Sequence, residues 1–299
     1  MRTRRAIAAF LLALALAPPA RAGDATGAFT PYEDILQVIA DLTWHLNDDV
    51  YRFPSPKDPT GHELYQLALR RIENWEKRYP GRLADVTGFT RAEALERLSE
   101  YRAATELYRQ VGEMQSPLAE KARAGAERST AFAQAAELPD AGSDLDASLT
   151  ALRKKLDAWG TLVQKFDGTP YQAVAMAEEE RLEGVVARLV VENRRGIDQG
   201  PQTAERSLRF LIAKHVDSKN LPEHIMRLGD LYAELARDYV EEHARPLAFD
   251  EDEFTARADR ALDMYRKVAT WDGAREKPEA QGRYAAFDAF KTSVLSRYR

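Results

Sequence analysis

Apolar residues recur at intervals of three and four along almost the whole chain. Ile35, Val38, Ile39, Leu42 and Leu46 form one stripe, and Leu145, Leu149, Leu152, Leu156 and Trp159 form another. Val185, Val186, Leu189 and Val190 continue a third. This period belongs to amphipathic helices, because half-buried strands alternate with a period of two. The stripes predict helices over about 31–50, 61–79, 86–98, 101–113, 117–138, 144–166, 170–195, 201–216, 221–243 and 251–271, with a further one over 278–297.

Helix-start signals punctuate these stripes. Thr30, Thr60, Thr90 and Asp250 each have a glutamate three residues later, at Glu33, Glu63, Glu93 and Glu253; Asn220 with Glu223 and Thr169 with Gln172 follow the same spacing. In such a capping box the first side chain accepts from an unpaired backbone N–H and the second reaches back to another. Pro31, Pro117, Pro170, Pro201 and Pro222 fall at or near first helical positions, where the missing N–H costs nothing. Pro139–Gly142 and Asp167–Thr169 are short connections, which favour antiparallel neighbours. The widest breaks, Phe53–Pro59 and Arg245–Asp250, are too short for domain linkers, so residues 23–299 read as one continuous helical array.

Within this array a spacing repeats. Ala68, Ile72, Trp75 and Pro80 stand at i, i+4, i+7 and i+12, and Ala104, Tyr108, Val111 and Ser116 stand likewise. Ala204, Leu208, Leu211 and Val216 repeat the spacing, as do Ala261, Tyr265, Val268 and Gly273. A small residue lets a neighbouring helix approach, a large one a turn later fills the gap, and a breaker ends the helix. A first-helix half appears at Arg227-Leu228-Gly229-Asp230-Leu231-Tyr232, and a turn between halves at Leu98–Ala104. On these residues the chain resembles the tetratricopeptide repeat family, helix–turn–helix units of about 34 residues. Leu228, Gly229 and Tyr232 match that family's leucine–glycine–aromatic signature, and Ala104, Tyr108, Ala261 and Tyr265 match its second helix.

The resemblance implies an all-α solenoid of stacked antiparallel helix pairs, with its clearest repeat signals over 62–118 and 203–273; an irregular helical bundle is the alternative. Two departures bear on it. Tyr232 and Ala261 are 29 residues apart, where the family has about nine, which demands long helices or an insertion. Residues 117–200 echo the spacing only at Ala158, Leu162 and Pro170.

Residues 1–22 carry a different signal. Arg2, Arg4 and Arg5 precede twelve unbroken apolar residues, Ala6 to Ala17; Pro18 and Pro19 end the run before Ala20-Arg21-Ala22. A basic head, a short apolar core and a small-x-small site are the features of a cleaved secretory signal. Cleavage after Ala22 would remove four arginines and no acid, leaving 39 basic against 48 acidic residues. The expected destination is the periplasm, if the host is Gram-negative. A net-acidic chain is a poor match for nucleic acid, which needs a concentrated positive field. The short basic clusters Arg70-Arg71, Arg153-Lys154-Lys155 and Arg194-Arg195 read as solvated helix faces. No later apolar run approaches the ~20 residues of a membrane span.

The absence of cysteine excludes disulfides, thiolate metal sites, thiol nucleophiles and lipid-modified cysteine. The chain carries no nucleophile elbow, phosphate loop, dinucleotide glycine pattern or H-E-x-x-H motif. Asp41 and His45 share a helix face at i, i+4, a spacing more often a polar contact than a metal half-site. Asp144-x-Asp146-x-Ser148 lacks the glycine and the final glutamate of a calcium loop, so Ser143 with Asp146 reads as a helix start. Glu178-Glu179-Glu180 and Glu241-Glu242-His243 read as solvated faces. Trp44, Trp75, Trp159 and Trp271 lie on or beside apolar stripes and read as core rather than as a sugar-stacking groove.

No catalytic, cofactor or metal residue is assigned, and no cofactor is expected. The expected function is a non-enzymatic scaffold or adaptor that binds an envelope protein or peptide, its partner-binding residues unknown. The alternative is an enzyme acting on envelope glycan, or the accessory helical domain of one.

Overall fold

The computed structural model describes residues 31–47, 62–245 and 247–298. They form eleven α-helices: α1 Pro31–Asn47, α2 His62–Arg78, α3 Ala84–Arg97, α4 Tyr101–Glu113, α5 Ala119–Ala136, α6 Leu145–Lys165, α7 Gln172–Glu192, α8 Gly200–Lys214, α9 Leu221–Glu242, α10 Glu251–Ala269 and α11 Lys277–Tyr298. A single 3₁₀ turn, Arg194–Gly196, separates α7 from α8. Among the described residues there is no strand. Each helix packs on the next in sequence, and counted in chain order the pairs are α1/α2, α3/α4, α5/α6, α7/α8 and α9/α10, with α5 and α6 touching least and α11 closing the stack. This is an all-α, consecutively stacked array of the kind expected for a solenoid.

The repeated spacing is the core of the second helices. Ala68, Ile72 and Trp75 in α2, Ala104, Tyr108 and Val111 in α4, Ala204, Leu208 and Leu211 in α8, and Ala261, Tyr265 and Val268 in α10 are all buried. Gly229 in α9 is buried too, and a Cβ there would lie 2.8 Å from Tyr265 Cε1. Gly88 in α3 bears the same relation to α4, where a Cβ would lie 2.9 Å from Val111 Cγ2. The two glycines therefore let a first helix rest directly on the large residues of its partner. The 29-residue separation of Tyr232 and Ala261 is filled mainly by length, since α9 runs 22 residues and α10 runs 19.

The third pair corrects the expected echo. Ala158 is only half-buried, and the buried positions of α6 include Lys155, Trp159 and Leu162. Their spacing is again i, i+4, i+7, with Asp167 at i+12, one turn away from Ala158, Leu162 and Pro170. Here lysine occupies the small-residue position, and its Nζ lies 3.5 Å from Asp140. Instead of a close alanine contact, α5 meets α6 through Phe132 stacked on Trp159, with Tyr101 against both rings. Bulky rings hold the axes apart, so α5 lies mainly on α4 and α6 mainly on α7.

Several helix starts differ from the capping signals. Asp250 caps α10 as expected, accepting from the N–H groups of Asp252 and Glu253. Thr90 lies inside α3, where its hydroxyl donates to the Val86 carbonyl at 2.8 Å, and the helix instead follows Leu83, at φ 48°. Thr169 donates to the Phe166 carbonyl, and α7 begins three residues later. Asn220 sits at the N-cap of α9, but its side chain turns away to Glu180. Asp144, not Ser143, caps α6 by accepting from Ala147 N. Thr30, Thr60 and the break at 53–59 lie outside the described residues.

Candidate binding face

Among the first helices, α3, α5, α7, α9 and α11, three ion pairs or charged hydrogen bonds join one helix to the next first helix. Glu96 on α3 receives both Arg128 Nε (2.7 Å) and Nη2 (3.0 Å) from α5. Ser129 Oγ donates to the same carboxylate at 2.6 Å, and Arg128 also donates to Tyr108. The Arg128 guanidinium lies 3.4 Å from the centre of the Tyr171 ring, which leads into α7. All of Glu96, Arg128 and Ser129 are buried, so each charge is neutralised by geometry rather than by water.

The second link joins α7 to α9. Glu180 accepts from His224 Nε2 (2.6 Å), Ser218 Oγ (2.6 Å) and Asn220 Nδ2 (3.3 Å). Burial disfavours its charge, but the His224 and Ser218 hydrogen bonds prevail and hold its carboxyl below the usual range. One turn on, Glu183 takes His215 Nε2 at 2.5 Å and Lys214 Nζ at 2.6 Å. In the third link Asp230 on α9 pairs with Arg283 on α11 and accepts from the Tyr265 hydroxyl at 2.8 Å. The second helices are tied as well: Glu205 on α8 accepts from Arg209, Tyr232 and Arg260.

Two clefts accompany these links. One, of about 420 Å³, lies between α7 and α9, with Glu180, Arg181, Arg188, Glu223, His224 and Arg227 in its lining. Another, of about 820 Å³, lies among the ends of α8, α9 and α10, where Arg194 and Arg195 pair with Asp238, Arg257 with Glu253 and Arg260 with Glu205.

The Glu180 cluster contains a serine, a histidine and a carboxylate, but they are not arranged as a nucleophilic triad. A triad needs the serine hydroxyl on the histidine. Here Ser218 and His224 both spend their hydrogen bonds on Glu180, and Ser218 Oγ also accepts from Asn220 N. Among the described residues no group of three or more His, Asp or Glu side chains is placed to hold a metal ion. Asp41 accepts from Gln37 at 2.7 Å and from Arg71 at 3.1 Å, while the side chain of His45 lies outside the described residues.

Comparison with known proteins adds little to this geometry. No protein-family model matches the chain, and no curated protein matches it. Among solved structures, a tetratricopeptide-repeat protein from Bacteroides fragilis NCTC 9343 is similar at 12% identity and a TM-score of 0.27, over 88% of this chain and 99% of that one. So weak a likeness carries no argument about function.

Several expected solvated groups are instead part of the array. Glu180, read as the exposed end of an acidic run, is buried, as is Lys155 from a basic one. Arg194 is largely covered and pairs with Glu234 and Asp238. Glu241 and Glu242 are exposed as expected. His224 was not singled out in the sequence, although Leu228 and Leu231 stand at i+4 and i+7 from it on the buried stripe of α9 and could have placed it there. Glu96 had no such signal, because α3 buries mostly small residues, Thr87, Gly88, Thr90, Ala92 and Ala94, and shows no apolar stripe. Trp75 and Trp159 are core, but Trp271 is not: it is 41% exposed. The side chain of Trp44 lies outside the described residues.

Proposed function

We propose that residues 23–299 form one non-enzymatic scaffold that binds an envelope protein or peptide on the face of its first helices. In this reading residues 1–22 are removed on export and the chain works in the periplasm. The observation that carries the proposal is the division of labour between helices. The alanine and aromatic stripes of the second helices are used up in the core, and three charged links join first helices, one of them beside a cleft rimmed by Arg181, Arg188 and Arg227. Stacked helix pairs commonly present such a face to their partners. No helix among the described residues is long and apolar enough to cross a membrane.

The test is crosslinked affinity capture from envelope extract, comparing wild type with Arg188→Glu/Arg227→Glu and with Arg206→Glu on α8. The first-helix variant is expected to lose a defined partner while keeping the wild-type melt, and the α8 variant is expected to retain it. Equal capture by all three, or cleavage of peptidoglycan by the purified chain, would overturn the proposal.

A further inference from the structure

We propose that the cleft between the α8–α9 and α10–α11 turns is a saccharide-binding site in which Trp271 is the stacking platform. This cleft, of about 310 Å³, shares only Asn220 with the first-helix cleft and is lined by Val216–Asn220 on one side and Trp271–Glu276 on the other. Its volume is at the low end of small-ligand sites, which combine an apolar surface with a few convergent polar groups.

Three observations point to a sugar. The first is the indole itself. Trp75 and Trp159 are 3% and 0% exposed, while Trp271 is 41% exposed, with Val216 across the cleft 60% exposed. A partly exposed indole beside a polar recess offers an apolar surface with a polar edge, and a pyranose presents the complement: an apolar C–H face edged by hydroxyls.

The second observation is charge. Asp217, Asp272 and Glu276 are set against Lys219 and Arg275 in the lining, and Arg275 and Glu276 pair at 3.0 Å. Such a balance gives no strong field for a polyanion or a polycation. It does place donor and acceptor groups side by side, which suits a neutral, hydroxyl-rich ligand.

The third observation is rigidity. On the Trp271 side the backbone turns back through Trp271 N to Val268 O (3.0 Å) and Ala274 N to Trp271 O (3.3 Å). Gly273 supplies the φ of +85° that this turn requires, and Lys277 staples Asp272 at 2.6 Å. On the other side the turn is anchored by Ser218 Oγ, which donates to the buried Glu180 and accepts from Asn220 N. Both walls are therefore fixed before a ligand arrives, which lowers the ordering cost of binding.

Two neutral β-1,4-linked trisaccharides, tri-N-acetylchitotriose and cellotriose, are the probes, titrated into the purified chain by tryptophan fluorescence and calorimetry. At least one is expected to bind saturably and change the emission. Trp271→Ala should weaken binding at least tenfold with an unchanged melt, and Trp271→Phe should retain most of the affinity while losing the fluorescence change. Absence of saturable binding to both trisaccharides, or binding that survives Trp271→Ala, overturns the proposal. So does a peptide that alone perturbs the Trp271 emission, which would reassign the cleft. None of these results depends on the first-helix face, so the two proposals fail separately.

Discussion

Replacing Gly229 by alanine tests whether the contact between α9 and α10 is as tight as the fold requires. Two effects oppose each other. Alanine in a helix interior is favoured over glycine by about 1 kcal/mol. The new Cβ, however, would lie 2.8 Å from Tyr265 Cε1, 3.0 Å from Cδ1 and 3.1 Å from Met264 Cβ, where carbon atoms prefer about 3.5–4.0 Å. Tyr265 cannot simply swing away: it is buried, its hydroxyl is held by Asp230 at 2.8 Å, and its ring edge meets Phe287. Met264 Cβ moves only with its backbone, so α10 itself must retreat, at an overpacking cost of about 1–3 kcal/mol. The net effect of Gly229→Ala is a loss of about 0–2 kcal/mol, and Gly229→Leu must lose more. Gly282 on α11 provides the reference, because it is exposed and a Cβ there meets nothing within 4 Å; Gly282→Ala should gain about 1 kcal/mol. Urea melts of the three variants measure the differences, and an unchanged slope would show that the surface exposed on unfolding is the same in all of them. If Gly229→Ala is as stable as Gly282→Ala, the close contact is not there and the argument for a solenoid-type pair fails.

Other expectations follow from the buried charges and from the chain's first residues. Arg128→Met strands the buried Glu96 and should cost about 3–5 kcal/mol in urea melts, whereas adding Glu96→Met should recover much of that loss. The Glu93 carboxyl is pushed up from 4.5 to about 7 by burial and then by the nearby Glu96, against Arg128, Arg97 and Lys121. The folded chain therefore holds the extra proton across that window, its stability falls as pH rises from 4.5 to 7, and Glu93→Gln should flatten this slope in melts at pH 5 and 7.5. Glu180 and Glu183, whose carboxyls lie low despite burial, act in the opposite sense, and their contribution is lost as pH falls below the unfolded value of 4.5. The intact mass of the exported chain should correspond to a start at Gly23, and a mass that retains Met1 would refute the signal reading.

Much of the architecture was legible in the sequence because the packing rule is local. A small residue, a large one four later and another three after that identify the second helix of a pair wherever the small residue is alanine. The rule failed at α6, where Lys155 takes the alanine position and aromatic rings set the distance to α5. Capping signals failed for a related reason. A threonine followed by glutamate marks a helix start only if the threonine side chain is free to cap, and Thr90 bonds back to Val86 within its own helix. The candidate face was the least legible part. Glu96 and Glu180 look like surface acids until the next first helix brings Arg128 or His224 against them. Those partners stand 32 and 44 residues downstream, and no periodicity within one helix records a contact made between two.

These inter-helix charges also indicate how the array holds its shape. In a stack where each helix touches mainly its neighbours, nothing long-range fixes the angle between pairs. Apolar contacts are non-directional, so alanine and aromatic stripes set the distance between helices more than their orientation. A bidentate pair such as Glu96 with Arg128 is directional, and in a buried setting any misalignment leaves a charge without its partner. Glu96–Arg128, Glu180–His224 and Asp230–Arg283 join α3 to α5, α7 to α9 and α9 to α11, and at the second of these a small change in angle would open or close the cleft beside it. The energetic return of each pair over an apolar substitute is small. Their value lies in holding one geometry, and the proposed binding face, with Arg181, Arg188 and Arg227 at fixed spacing, needs that more than it needs extra stability.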